Sequence, residues 1–177
     1  MLGGRGSGLR WWHPYALEKM SVAAASPPQY KLWLVVEPGT EVPAYENQPS
    51  RPNENAGFDL YTAEDFSTTG PALVSLGVRA MMTRLDTGEP VHYWLAPRSS
   101  IYKTGYIMAN SLGVIDRSYR GILKAPVVRV AAAPGLRRGD RHFQILAPDM
   151  GHIAAVEVVA ELPATERGDG GFGSTGR

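Results

Sequence analysis

Glycine and proline cut this chain into runs too short to bury the face of an amphipathic helix. Twenty glycines and 14 prolines punctuate YKLWLVV from Tyr30, GFDLYTA from Gly57, ALVSLGVRAMM from Ala72, VHYWLAP from Val91, ILKAPVVRVAAA from Ile122, RHFQILAP from Arg141 and AAVEVVAE from Ala154. The runs are rich in β-branched and aromatic residues, and none sustains a helical period. Many short strands joined by turns predict an all-β sandwich, barrel or jelly roll, with little helix and no internal repeat.

Composition narrows the function classes. A chain of 177 residues with 44% hydrophobic and 20% charged content fits one domain with an adequate core. The formal net charge of +1 and the lack of a basic block give no footprint for nucleic acid. With no cysteine, disulfides, thiol nucleophiles and thiolate metal sites are excluded. No apolar run approaches the roughly 20 residues needed to span a bilayer, so a soluble protein of the cytoplasm or nucleus is expected. Residues Met1 to Gln29 read as a tail outside the domain, carrying Trp11-Trp12 as a docking element or a packed one, Met20 as an internal start, and no acid before Glu18, a composition compatible with organelle targeting. The domain is expected over residues 30–166.

Chemistry concentrates between Pro97 and Leu123, PRSSIYKTGYIMANSLGVIDRSYRGIL. Strand-forming Tyr106 to Met108 and Val114-Ile115 flank the break at Asn110-Ser111, which predicts a β-hairpin. Its walls offer an amide (Asn110), a carboxylate (Asp116) and a phenol (Tyr119): a group to read a polar ring edge, a base and a flat face. An Asp in such a turn is also the ordinary partner of nearby backbone N–H groups.

Two further stretches carry polar side chains. In Arg138-Gly139-Asp140-Arg141-His142-Phe143-Gln144 a turn enters a strand, and alternation sets His142 and Gln144 on the face opposite Arg141 and Phe143. His142 receives no role, because a lone histidine is more often packed than catalytic. The end, residues 167–177, is glycine-rich but punctuated by arginine and Phe172. A flexible terminus is the bland reading; a mobile lid, with backbone N–H groups and arginine converging on an anion, is the sharper one. It lacks the lysine and following helix of a phosphate-binding P-loop.

Taken together, AGFDLYTAED, PRSS, NSLGVIDRSYRG, RGDRHFQ and RGDGGFGSTGR resemble, in order and near spacing, the motifs of the trimeric dUTPase family. The resemblance implies a jelly-roll homotrimer that hydrolyses dUTP to dUMP and pyrophosphate with Mg2+, each active site drawing on all three subunits. It implies that Asp116 activates the attacking water, that Tyr119 packs under the deoxyribose, and that Asn110 and Gly113 belong to the segment whose amides read uracil. It assigns Arg98, Ser99, the Ser100 backbone and Gln144 to the phosphates, and Asp59 to the metal through water. Arg167, Gly173, Ser174 and Thr175 fall to the closing tail, and Phe172 to stacking on the base.

The chain departs from that pattern at Ser100, where glycine is commoner, at Arg117-Ser118 and at Ile122. Two other readings come with the resemblance: a dCTP deaminase-like enzyme, against which Tyr119 and the glycine-rich tail speak, and a dUTP-sensing trimer acting through a protein partner.

Overall fold

A computed structural model describes residues 28–40, 45, 55–132 and 134–171. The extension before Pro28 and the tail from Phe172 onward lie outside the described residues. Within them the regular structure is β-strand apart from the 3-10 helix Ser99–Thr104 and a 3-10 residue at Tyr45, and the strands are joined by turns and loops. No helix among the described residues is long and apolar enough to cross a membrane.

Among the described residues eleven strands form three sheets. β1 (Gln29–Val36), β4 (Val78–Arg84), β5 (Pro90–Val91) and β11 (His152–Val158) make the first, in the order β11-β1-β4-β5. β2 (Gly57–Leu60), β6 (Tyr93–Pro97), β8 (Gly113–Ile115) and β10 (Phe143–Leu146) make the second, ordered β2-β10-β6-β8. β3 (Ala72–Ser75), β9 (Lys124–Arg129) and β7 (Tyr106–Met108) make the third. Apart from the paired β4 and β5, strands adjacent in sequence sit in different sheets, which is how a jelly roll closes a core between its layers.

Alternation decides what enters that core. In β1, Tyr30, Leu32 and Leu34 are buried while Lys31 and Trp33 face outward, where the Lys31 ammonium lies 3.6 Å from the Trp33 ring centroid. Tyr93, Tyr106 and Phe143 are the largest fully buried side chains. The Tyr93 hydroxyl donates to the Ala80 carbonyl at 3.1 Å, giving the buried phenol a partner and tying β6 to β4.

Two corners set the route. The run ALVSLGVRAMM breaks at Gly77 into β3 and β4, in separate sheets; Gly77 has φ +62°, and a Cβ there would lie 2.5 Å from the Thr40 hydroxyl. The run VHYWLAP breaks at His92, leaving β5 on the first sheet and β6 on the second.

The hairpin expected around Asn110 is not a hairpin. β7 pairs with β9 and β8 pairs with β6. The reversal is made by a tight turn, with Ser111 at φ +60° and the Leu112 N–H on the Asn110 carbonyl at 2.6 Å. Its two arms find better partners in different sheets than in each other.

Candidate active site

The sequence-derived residues gather in two clusters. The first forms where β8 runs out. Antiparallel pairing of Tyr93 with Ile115 and Leu95 with Gly113 brings Asp116 opposite His92 at the other strand's start. The His92 Nδ1 lies 3.4 Å from the Asp116 Oδ1 and accepts the Arg117 N–H at 3.3 Å. The second carboxylate oxygen of Asp116 accepts from the Arg167 guanidinium. Asp116 is therefore half-exposed and flanked by nitrogen on both sides.

Tyr119 stands beside it with its ring between glycines. Its hydroxyl donates to the Ile122 carbonyl at 3.0 Å, and a Cβ on Gly121 would lie 2.5 Å from that hydroxyl. A Cβ on Gly171 would meet the ring edge at 3.2 Å. Arg167 lies over the ring at 5.9 Å. Burial pushes the Tyr119 phenol up, with Asp169 adding to the shift and Arg167 opposing it, so it is a neutral surface and not a base.

These groups surround a cavity of about 180 Å3 lined by Leu95, Asn110, Gly113, Asp116, Tyr119, Leu123 and Arg167 among others. A Cβ on Gly113 would lie 3.3 Å from the Leu95 Cβ and 3.6 Å from the Asn110 amide nitrogen, so this glycine leaves room at the cavity wall. The space is smaller than the roughly 300–1,000 Å3 of pockets that enclose a drug-sized ligand, and it suits one ring.

The tail segment reaches this cluster through a clip. Arg120 donates from its backbone to Gly168 O at 2.7 Å, and its guanidinium donates to Pro163 O at 2.9 Å and to Arg117 O and Tyr119 O, each at 2.8 Å. Thr165 Oγ1 donates to Ser118 O at 2.5 Å. Arg120 and His92 carry no mark in the sequence; only strand register and chain return expose them.

The second cluster lies where β6 ends. Gln144 is paired across β10 with Asp59 on β2 and with Ala96 on β6. The Arg98 Nε is 2.8 Å from Asp59 Oδ1, and Arg141 Nη1 is 3.4 Å from Oδ2. Burial raises the Asp59 carboxyl above its ordinary range, with both guanidiniums pulling it back. Gln144 Nε2 donates to Pro97 O at 3.2 Å, and its Oε1 occupies the space that a Cβ on Gly57 would need. Ser99 is exposed beside it, and Ser100 Oγ is 3.0 Å from His142 Nδ1.

β6 separates the clusters. His92, opposite Asp116, precedes the strand, and Arg98 follows it; six extended residues span about 20 Å. Phe172, Gly173, Ser174 and Thr175 lie outside the described residues.

Residues 45–176 match the dUTPase family. A deoxyuridine 5'-triphosphate nucleotidohydrolase of Mycobacterium tuberculosis is 39% identical over 138 residues, covering 72% of this chain and 86% of the relative. One from Mycobacterium marinum is 40% identical over the same coverage, and one from Wolinella succinogenes is 34% identical over 148 residues, covering 81% of this chain and 92% of its own. Matched over most of its length by the family and by these relatives, and built from β-strands with little helix among the described residues, this chain belongs to the dUTPase family.

Proposed function

We propose that this protein hydrolyses dUTP to dUMP and pyrophosphate, with Asp116 taking a proton from the water that attacks the α-phosphorus. The observation that carries the reading is the placement of a half-exposed carboxylate at the mouth of a ring-sized cavity walled by Asn110, Gly113 and Tyr119. In this reading the carboxylate acts as general base on a water within hydrogen-bond reach of it. The Asn110–Gly113 turn supplies amides to a ring edge, and Tyr119, buttressed by Gly121, leaves little space on the sugar side. A base with the wrong donor pattern leaves buried groups unpaired and is rejected on that account.

The second cluster holds the triphosphate in this reading, through Arg98, Ser99, Ser100 and Gln144. A separation of about 20 Å along β6 is too long for one nucleotide to bridge within a single chain. A homotrimer, in which the base cluster of one subunit faces the phosphate cluster of another, resolves that separation. The tail then closes the site, Arg167, Gly173, Ser174 and Thr175 toward the γ-phosphate and Phe172 on the base.

Mg2+ fits the residues present. Among the described residues no group of three or more His, Cys, Asp or Glu forms a metal cage, and the Asp59 carboxylate meets two guanidiniums. In this reading Asp59 would hold a hydrated Mg2+ through water. When bound, the ion neutralises phosphate charge.

The test is pyrophosphate release from dUTP, UTP and dCTP by purified protein, together with mixed assemblies of Asp116→Asn and Arg98→Ala subunits. dUTP turns over, the other two are poor substrates, and at dUTP concentrations well below the KM of Arg98→Ala mixing gives more activity than the two variants give separately. Equal turnover of dUTP and UTP would remove the sugar role of Tyr119; failure of mixing to restore activity would remove the shared site.

A further inference from the structure

Ser100 stands where the family more often has glycine, and its hydroxyl is engaged by a histidine. The backbone bond from Arg98 N to His142 O at 2.8 Å and the pairing of Phe143 with Pro97 hold the two segments side by side. Ser100 Oγ is then 3.0 Å from His142 Nδ1, and His142 Nε2 is 3.7 Å from Asp140 Oδ2. The side chain of His142 is mostly buried, whereas Ser99, one residue before Ser100, is exposed. Hydroxyl, imidazole and carboxylate form a line that ends beside Arg98 and Ser99.

The proton positions along that line follow from chemistry. With His142 neutral and Nε2–H facing the Asp140 carboxylate, Nδ1 is a lone pair and the Ser100 hydroxyl donates into it. The oxygen then turns only lone pairs outward, which repel an anion. The opposite neutral tautomer aims the Nε2 lone pair at Asp140 and is disfavoured. With both nitrogens protonated, Nδ1–H donates to Ser100 Oγ, Nε2–H faces Asp140, and the serine proton turns away from the ring, to the Arg141 carbonyl 3.4 Å from Oγ or to a ligand oxygen. The groups around the ring are Asp140 on its own loop, Arg98 at the end of β6 and Ser100 on the 3-10 helix. Burial and Arg98 hold the imidazole below its ordinary range against the pull of Asp140, so the free protein carries it neutral at neutral pH.

We propose that the Ser100 hydroxyl is a phosphate-binding donor released by protonation of His142, so that binding of the anionic triphosphate draws a proton from solvent onto His142 Nδ1. His142 acts as a positioning residue: it touches no phosphate and sets which way the Ser100 hydrogen points. The inference rests on the assignment of the Arg98–Ser99 region to the triphosphate.

The test uses a non-hydrolysable imido analogue of dUTP with Mg2+. Nitrogen-15 spectra of the wild-type protein near neutral pH should give a neutral His142 ring in the free state and an imidazolium in the complex. Calorimetry in buffers of different ionisation enthalpy should show more proton uptake for wild type than for Ser100→Gly or His142→Gln. In steady-state kinetics, the wild-type KM for dUTP should rise by roughly tenfold more than that of Ser100→Gly between about pH 6 and about pH 8, the loss of one bond to a charged group. The difference belongs to KM and narrows at high pH.

A ring that stays neutral in the complex, or identical proton counts in all three proteins, overturns the inference. Arg98→Ala separates the two levels. If it binds the analogue as wild type does, the phosphate assignment falls and takes this inference with it. If it loses affinity while His142 stays neutral, the phosphate assignment stands and only the inference fails.

Discussion

In the proposed reading the two clusters solve opposite recognition problems. The one after β8 is an open cavity with apolar walls, one carboxylate and a turn of exposed backbone. In the one after β6 the polar groups already engage one another, Asp59 with Arg98 and Arg141, Ser100 with His142, Gln144 with Pro97 O. A neutral ring is recognised by empty space of the right shape. A polyanion is recognised by donors that must change partners, which keeps buried charge paired in the absence of ligand.

The largest effect that would sharpen this contrast is on chemistry. Asp116→Asn keeps shape and polarity but removes the base, so turnover should fall about 100- to 10,000-fold while the imido analogue still binds. Near-normal turnover would mean that Asp116 belongs to the cavity wall alone. On the other side, Arg98→Ala removes a donor and leaves Asp59 with one guanidinium fewer. It should raise KM for dUTP roughly 10- to 100-fold, since a bond to a charged group is worth about 1.5–3 kcal/mol. A loss confined to kcat would place Arg98 in the reaction rather than in binding.

Glycine replacements test shape on each side. Gly121→Ala puts a methyl 2.5 Å from the Tyr119 hydroxyl and should cost about 1–3 kcal/mol of stability as an overpacked site. By displacing the ring it should also weaken discrimination between dUTP and UTP. Gly57→Ala meets the Gln144 Oε1 at 2.5 Å and should raise KM while leaving that discrimination intact. If Gly57→Ala changes sugar choice as much as Gly121→Ala does, the division between the clusters is wrong.

The smallest effect concerns stability and pH. The His142 imidazole titrates below its ordinary value of 6.5 in the fold, so the unfolded chain binds more protons in the window between the two values. Stability therefore falls as pH drops through 6.5 and stops falling below the folded value. Thermal midpoints measured across this range should fall less in His142→Gln than in wild type. Parallel curves would show that the ring carries no linkage of its own.

Much of this was open to reading in the chain. Short runs between glycine and proline foretold the strands because period-2 burial needs only local alternation, as β1 illustrates with Tyr30, Leu32 and Leu34 buried. The site residues were legible because Asn110, Asp116 and Tyr119 fall within ten positions of one another. His92 and Arg120 were not. Their roles depend on which strand lies opposite and on where the tail returns, and neither leaves a local signature.

The amino-acid sequence by itself determined the all-β class, the absence of thiol chemistry and the motifs that resemble the dUTPase family, because composition, alternation and motif order are properties of neighbours along the chain. Tertiary structure alone decided that the reversal at Asn110 is a crossing between sheets, that Ser100 is held by His142, and that Asp116 and Arg98 stand at opposite ends of β6. Strand register is a choice among distant partners of similar local propensity. It is settled by which pairing buries Tyr93, Leu95 and Phe143 together, a sum over the whole core that no single stretch contains.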